Sequence, residues 1–476
     1  MELILIPLLL GILSYLIPKN ILPWFALLGS ALVLIHQITL LPNFDLQSTI
    51  VLWKAHEAMP LGLTFEMKWD GFSMLMLLMT SSISFLIFLS NFNRNLAKSN
   101  NFTALAFFMQ FGMNGVFLAA DGMLFYIFWE FTLIPIFLIL YLYGTGSSRV
   151  PLFTFFIYTF AGSLAMLASF MALGVFASDF SHQSLIQVQL DPTLSFWVMM
   201  GFFIAFAVKI PLFPFHYWQP QTYSDAPMAG TMLLSALMLK MALFGIVKWM
   251  LPTCSEVLYQ SKWLLLILSL IGIIYGALVA MRQYDIKKLY AFASLSHLGI
   301  ITAALALLTE AALFGASIQI LNHSLLSVGM FLIADILENR LKTKDIRQIG
   351  GIAKLAPSFG FWCAIITLAS VSVPFTAGFI GEFIILLELF HHNNIMGILG
   401  LSTIVLGAVF MLRAFQLSMF GFPIISSFQD LTWNELAVLL LVSVAVLLLG
   451  LFPDTVSQLV MPALQDIISS IQDSKQ

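Results

Sequence analysis

The sequence predicts an all-α polytopic membrane protein with about 14 transmembrane helices. The first observation is composition: 60% of the 476 residues are hydrophobic and only 9% are charged, whereas soluble domains carry about 25% charged residues. The second is length, because apolar stretches of about 18 residues or more recur throughout the chain, and each can cross a hydrocarbon core of about 30 Å as a helix. No polar segment is large enough to form a separate soluble domain.

Glycine, proline and charged residues interrupt the apolar stretches and set the boundaries of the predicted spans. The spans lie at residues 1–17, 21–41, 71–91, 102–119, 121–143, 151–178, 194–217, 226–250, 263–281, 286–308, 311–337, 357–391, 394–419 and 433–452. The polar loop 42–70 has room for a small hairpin, and residues 453–476 look like an amphipathic tail. The first span lacks a basic leader and a cleavage site, so we expect a retained helix.

The composition argues against cofactor chemistry within this chain. Cys254 and Cys363 lie far apart without metal-ligand spacing, so we interpret them as packed free thiols. The sequence contains no GxGxxG, Walker or CxxC motif, and the His391–His392 pair falls at a loop. We therefore predict no metal and no bound cofactor here, and we assign any redox or nucleotide chemistry to another chain.

The distribution of cations predicts the orientation in the membrane. On this span assignment one set of loops holds Lys19, Arg94, Lys98, Arg149, Arg282, Lys287, Lys288, Arg340, Lys342, Lys344, Arg347 and Lys354, and the opposite set holds only Lys54, Lys68, Lys262 and Lys475. Because cytoplasmic loops are enriched in lysine and arginine, the first set is expected in the cytoplasm. Both termini are then expected outside.

Six ionisable residues fall at a similar depth on six different predicted helices. Lys209 and Lys240 lie on the two arms of a helical hairpin around Ser224, each roughly 20 Å from that turn at about 1.5 Å per residue. The same reckoning gives a row across the membrane plane: Glu130, Lys209, Lys240, His297, His323 and Glu382. Glu388 lies further out, and Lys248 and Arg413 are close enough to helix ends to snorkel towards an interface.

The cost of burying these groups indicates that the row has a function. One charge at the bilayer centre costs about 2.5–3.5 kcal/mol, so the four acidic and lysine members would cost roughly 10–14 kcal/mol if they faced lipid. They are expected to face one another or water. The alternative is a purely structural role in which paired charges hold helices together, and each histidine taken singly would usually be a satisfied core residue.

Two helices are predicted to break beside members of the row. Pro211 and Pro214 follow Lys209 and remove two backbone donors, which leaves the carbonyls of Ala207 and Ile210 without their helical partners. Such a break is tolerated in a membrane only beside protein polar groups or a water-filled cavity.

A second interruption, formed by Pro374, Gly378 and Gly381, precedes Glu382. Interrupted helices in corresponding halves of a chain are typical of internally repeated transporters.

The motifs around these residues resemble those of the antiporter-like subunits of respiratory complex I. The resemblance rests, in order, on "WDGFSML" with Asp70, "WEFTLIPIF" with Glu130, "FAVKIPLFPFHYW" with Lys209, "APMAGTMLLSALMLKMALFG" with Lys240, "GALVAMRQYDIKKLYAFASLSHLG" with His297, "ILNHSLLSVGMF" with His323 and "PFTAGFIGEF" with Glu382. It covers about residues 66–420. Glu382 stands where sister chains usually carry lysine, which favours one branch of the family.

The resemblance implies two inverted five-helix repeats, at 102–250 and 263–419, with broken helices 7 and 12. N-terminal helices at 1–101 precede the repeats, and a last helix with the tail follows at 433–476. It implies a multi-pass protein of the bacterial inner membrane that moves protons, driven by redox chemistry elsewhere. Flavin, iron–sulfur clusters and quinone are expected in partner subunits. The expected partners are neighbouring antiporter-like chains, the lateral helix of chain L and lipids, and no nucleic acid is expected.

One departure from the family pattern concerns the cytoplasmic side. The usual "WLPDAH" after helix 7 reads "WQPQTY" here, with Gln221 and Tyr223 at the aspartate and histidine positions. Asp225 lies close enough in sequence to substitute.

The row suggests a mechanism with two rivals. Glu130 would hold the proton on Lys209 when the two approach, and Lys240, His297 and His323 would relay it, since neutral histidine both accepts and donates. Glu382 would be the terminal acceptor. The rivals are a large subunit of a multi-subunit sodium/proton antiporter, which shares most of these motifs, and a membrane scaffold that transports nothing.

Overall fold

The computed structural model describes residues 1–41, 50–54, 63–423 and 426–473, and most of them are helical. The main helices are Glu2–Leu13, Leu22–Leu40, Gly71–Asn91, Asn100–Leu118, Gly122–Tyr143, Val150–Phe176, Pro192–Lys209, Gln219–Asp225, Met228–Thr253, Ser255–Arg282, Ile286–Leu307, Glu310–Leu341, Pro357–Ser370, Ala377–His392, Asn394–Met419, Trp433–Leu451 and Asp454–Asp473. Two short helices, His182–Ile186 and Ile352–Leu355, lie in loops. The strands are Ile50–Trp53 and Met67–Trp69.

The predicted all-α membrane fold is confirmed. Within the described part of the chain, 11 helices are long and apolar enough to cross a membrane. Each of the other predicted spans coincides with a helix that is shorter, more polar or broken: Glu2–Leu16, Asn100–Leu118, and the pair Pro357–Ser370 and Ala377–His392. The count of 14 spans and the repeat boundaries at 102–250 and 263–419 stay predictions.

Burial separates central helices from lipid-facing ones. The helix Met228–Thr253 is 100% buried over its apolar window, and Glu310–Leu341 is 94% buried, whereas Asn394–Met419 is only 33% buried. Apolar side chains on the outer helices remain exposed, as expected where lipid replaces water. The central helices carry Lys240 and His323, so the protein itself surrounds these charged residues.

Local capping fixes the end of the bundle that is rich in cations. Asp285 begins the helix Ile286–Leu307 by accepting hydrogen bonds from the backbone N–H groups of Lys287 and Lys288, a favoured arrangement at a helix N-terminus. Its other carboxylate oxygen accepts a hydrogen bond of 2.8 Å from Ser224 Oγ. The cap thereby ties the turn around Ser224 to the second half of the chain.

The hairpin and the tail expected outside the spans are both present. Strands Ile50–Trp53 and Met67–Trp69 pair antiparallel, with Val51 opposite Lys68. Residues 42–49 and 55–62 of this loop lie outside the described residues. The tail forms the amphipathic helix Asp454–Asp473, which packs on Gly71–Asn91 and Glu310–Leu341. Its buried face is Val456, Val460, Leu464, Ile467, Ile468 and Ile471.

Gly71→Ala is expected to loosen the tail helix. A Cβ atom at Gly71 would lie 1.7 Å from the carbonyl oxygen and 2.8 Å from the carbonyl carbon of Leu459. Because both of these are backbone atoms, one of the two helices must move. Overpacking of this kind costs about 1–3 kcal/mol. The effect is measured as a lower Tm in detergent and faster proteolysis of the tail. Gly407→Ala is the control, since nothing lies within 4 Å of a Cβ there; equal stability of the two variants would contradict the prediction.

Candidate functional site

The first broken helix ends at Lys209 and the chain becomes helical again at Gln219. The Ala207 carbonyl lacks the helical partner that Pro211 cannot supply, and it accepts a hydrogen bond of 2.8 Å from the Leu212 N–H instead. The neighbouring carbonyl of Val208 accepts one of 2.9 Å from the indole of Trp218. At this break the Leu212 N–H and the Trp218 indole replace hydrogen-bond donors that the prolines lack.

Lys209 is 1% exposed and lies against an aromatic ring, not a carboxylate. Its Nζ is 5.2 Å from the ring centroid of Trp129, a favourable cation–π distance. Among the described residues no carboxylate lies within 4 Å of this amine. Glu130 is half-buried and its Oε1 has no hydrogen-bond partner. The structure thus places Lys209 beside the residue that precedes Glu130, without the ion pair that the mechanism needs in one of its states.

Lys240 makes the shortest contact between two members of the row. It is 0% exposed, and its Nζ lies 2.7 Å from Nδ1 of His323 and 2.6 Å from the carbonyl oxygen of Ser235. On its other side His323 Nε2 lies 2.8 Å from Ser294 Oγ. When Lys240 is an ammonium group, His323 Nδ1 accepts a hydrogen bond from it and His323 Nε2–H donates one to Ser294. The imidazole therefore has one nitrogen facing each direction along the row.

The helix that carries Lys240 is irregular on both sides of this residue. Leu233–Met238 and Ile246–Met250 are π-helical, and only Leu239–Gly245 between them is α-helical. π-helical turns are rare in proteins, and those that occur are frequently found at functional sites. Here the first wide turn presents the Ser235 carbonyl to the Lys240 amine five residues later. The segment Leu239–Gly245 also packs against the helix that carries Lys209.

The far end of the row is a second contact pair. His297 Nδ1 lies 3.3 Å from Glu382 Oε1, and the Glu382 side chain is 1% exposed. Gln319 Nε2 donates to the same carboxylate oxygen at 2.9 Å, and Gln319 Oε1 accepts from Asn322 Nδ2 at 3.0 Å. The carboxylate thus has two neutral or titratable donors and no lysine, in a site where an unpaired charge would be costly.

A small cavity lies between the two contact pairs. The rings of His297 and His323 have centroids 6.5 Å apart. Both rings line the cavity, together with polar side chains (Gln319, Asn322, Ser370) and apolar ones (Ile301, Leu326, Met330). Asn322 Oδ1 is buried without a hydrogen-bond partner, and an unsatisfied acceptor is the kind of group that a buried water satisfies in proteins.

The second break lies where Pro374 predicts it, between helices Pro357–Ser370 and Ala377–His392. Gly378 and Gly381 are not part of it: this part of the prediction is wrong, since both lie within the second helix. Their role is close packing. A Cβ at Gly378 would lie 2.8 Å from Asn322 Nδ2, and one at Gly381 would lie 3.2 Å from Gln319 Cγ. The glycines let the amides that contact Glu382 approach its helix.

The remaining buried charges have other partners. Lys248 pairs with Asp70 at the N-terminus of the helix Gly71–Asn91, instead of snorkelling. Arg413 donates to the Met281 carbonyl. Glu388 Oε2 accepts a hydrogen bond of 2.6 Å from Thr309 Oγ1, and among the described residues Glu388 makes no contact with the row.

Sequence reasoning missed the neutral residues that connect the row. These residues carry no charge, and the sequence marks them only as polar residues at helical spacing from a titratable one. They are Ser235, Ser294, Ser327, Gln319 and Asn322. Among the described residues no cluster of three metal-ligating side chains occurs. Cys254 and Cys363 are free and buried.

The fold and this row of buried titratable groups define a multi-helix transport subunit of the antiporter type. A family profile described as NADH:quinone oxidoreductase/Mrp antiporter, TM, matches residues 119–407. NADH-quinone oxidoreductase subunit M of Rhodobacter capsulatus is 30% identical over 94% of this chain and 90% of its own length.

A chain of the respiratory complex I of Thermus thermophilus superposes with a TM-score of 0.91 and 30% identity, covering 99% of both chains. A chain of the Mrp complex from Dietzia sp. DQ12-45-1b shares the fold alone, at 18% identity and a TM-score of 0.86 over 99% of each chain. The chain belongs to the antiporter-like membrane subunits of NADH:quinone oxidoreductase, in the subunit M branch. The resemblance drawn from the motifs is confirmed.

Proposed function

We propose that this chain moves protons across the membrane as a subunit of complex I, through the buried row from Lys240 to Glu382. The observation that carries the proposal is the 2.7 Å contact between Lys240 Nζ and His323 Nδ1, two titratable groups that are 0% and 5% exposed. A scaffold would gain stability by replacing such a pair with apolar residues. Transport gives a reason to keep it.

The proton steps follow from the contacts. Lys240 gives its proton to His323 Nδ1 and becomes a neutral amine, while the imidazole releases a proton from Nε2. That proton crosses the small cavity to His297, and His297 exchanges with Glu382 across 3.3 Å. Each histidine ends in the other neutral tautomer and must return its proton or rotate before the next cycle. Lys209 supplies Lys240 from the neighbouring helix when Glu130 moves away from it.

The chemistry of the site favours H⁺ over Na⁺ as the transported ion. Sodium needs several oxygen ligands, but the Lys240–His323 pair faces the row with nitrogen atoms, and an ammonium group repels a metal cation. The oxygen-rich position at Glu382 is already occupied by donors from Gln319 and His297. Both features suit proton transfer.

The redox chemistry that drives transport is assigned to other subunits. We infer that this chain acts as a translocase without a redox centre of its own, and that flavin, iron–sulfur clusters and quinone are held elsewhere in the complex. Its neighbours are then other antiporter-like chains, the lateral helix of chain L and membrane lipids. The cation-rich end that contains Ser224 faces the cytoplasm of a bacterium, and both termini face outside.

Affinity purification from mild detergent tests the assembly. We expect flavin, iron–sulfur absorbance, quinone and NADH oxidation to copurify with the tagged chain. Recovery of a sodium/proton antiporter complex without flavin would contradict the proposal and support the alternative function, a large subunit of a multi-subunit sodium/proton antiporter.

A further inference from the structure

Three buried polar atoms lie unpaired on the short helix Gln219–Asp225. Gln219 and Tyr223 are both 0% exposed, and they lie one turn apart, so their side chains share a face. Neither Nε2 nor Oε1 of Gln219 has a hydrogen-bond partner, and the same holds for the Tyr223 hydroxyl. Leaving a buried donor or acceptor unpaired is costly, and native proteins almost always satisfy such atoms with protein or water.

The unpaired atoms lead directly to the Lys240–His323 pair. The Tyr223 hydroxyl lies near the side chains of Gln219 and Ser235. Ser235 Oγ donates to Ser327 Oγ at 3.1 Å. Ser327 Oγ donates to the His323 carbonyl at 2.7 Å and also lies 3.4 Å from His323 Nδ1. Two hydroxyls therefore connect the unpaired atoms to the nitrogen that Lys240 contacts.

The helix is held firmly at the cation-rich end of the bundle. Lys344 Nζ donates to the Ser224 carbonyl at 2.6 Å, and Lys287 contacts the Ala226 carbonyl while pairing with Glu338 at 2.7 Å. These contacts fix the turn just after Tyr223. The hydrogen bonds of Lys344 and Lys287 therefore hold the backbone next to the unpaired atoms in place.

We propose that Gln219, Tyr223 and Ser235 bind buried water, and that this water is the proton uptake route to Lys240 and His323. A proton arriving on the water passes to Ser235, which releases its own hydroxyl proton to Ser327. After Lys240 has released its proton, the Ser327 hydroxyl turns from the His323 carbonyl to Nδ1 and passes a proton on there. No oxidant or co-reactant is needed, because each hydroxyl gains one proton and loses one. The inference rests on the proposed function of the row.

Variants of the assembled complex test the route. Tyr223→Phe and Gln219→Leu keep the side-chain shapes but remove the water ligands. We expect NADH-driven acidification in vesicles to slow about tenfold, the factor for about 1.4 kcal/mol, and to depend more steeply on pH at the uptake side. Tyr223→His restores a group that binds water and is expected to recover the rate and pH profile.

Thr222→Val is the matched control on the same helix, because the Thr222 hydroxyl is already bonded to the Trp218 carbonyl at 2.6 Å. We expect it to pump normally. Unchanged rate and pH profile in Tyr223→Phe, with pumping still abolished by Lys240→Met, would overturn the uptake route and leave the proposed function standing. Normal pumping by Lys240→Met would overturn the proposed function instead.

A density map of the unmodified complex decides the matter if the variants fail to assemble. We expect an ordered water within hydrogen-bond distance of Tyr223 Oη and of Gln219 or Ser235. A dry site, with these side chains bonded directly to each other, would overturn the inference.

Discussion

Replacing Lys240 with methionine is expected to abolish proton transport by this chain while leaving the complex assembled. Methionine fills a similar volume, and among the described residues no carboxylate pairs with Lys240, so no opposite charge is left buried without a partner. His323 Nδ1 and the Ser235 carbonyl lose a partner at 2.7 and 2.6 Å, at about 1–3 kcal/mol each. Loss of a positioned proton donor slows transfer about 100-fold or more. The measurement is acidification of vesicles per NADH oxidised, with subunit content checked on the same preparation.

Lys240→Arg separates charge from proton exchange at the same position. Arginine keeps a positive charge and a donor for His323, but it does not release its proton in proteins. We expect the variant to pump as poorly as Lys240→Met. Near-normal pumping by Lys240→Arg would mean that the position needs charge alone, and the proton relay through Lys240 would be wrong.

Replacing Glu382 with glutamine is expected to have an effect of similar size at the other end of the row. The amide keeps the shape and can still accept from Gln319, which lies 2.9 Å from the carboxylate. It cannot take a proton from His297, whose Nδ1 lies 3.3 Å away. We therefore expect about a 100-fold loss of transport with assembly retained, measured by the same vesicle assay.

Glu388→Gln is the matched control for Glu382. Glu388 lies on the same helix, but it is bonded to Thr309 and does not contact the row. Its substitution is expected to leave pumping close to normal. If the two glutamine variants pump equally well, the end of the row at Glu382 is not part of the transport path.

Depth along a helix was readable from the sequence because a helix rises by a fixed amount per residue. Counting residues along each predicted helix placed Lys240 at the level of His323, and the two side chains are in contact. The same count placed His297 at the level of Glu382, and these side chains also meet. Proline positions located both breaks, because the missing N–H acts at the residue itself.

The rotation of each helix about its axis was not readable, and this explains the errors. Depth alone gave no partner for the Lys209 amine, which faces the ring of Trp129. The helix Met228–Thr253 is buried on every side, so its sequence has no polar face from which a rotation or a π-helical turn could be inferred. Gly378 and Gly381 were read as breakers, although a glycine in a membrane helix often serves close packing.

The most direct test of the row as a proton path is the H⁺/NADH ratio of complex I carrying Lys209→Ala. Lys209 is 1% exposed and has no carboxylate within 4 Å among the described residues, so its removal leaves no buried acid unpaired at that distance. The account predicts a ratio reduced by this chain's share, in a complex with its full set of subunits. A ratio and turnover equal to those of the unmodified complex would contradict it.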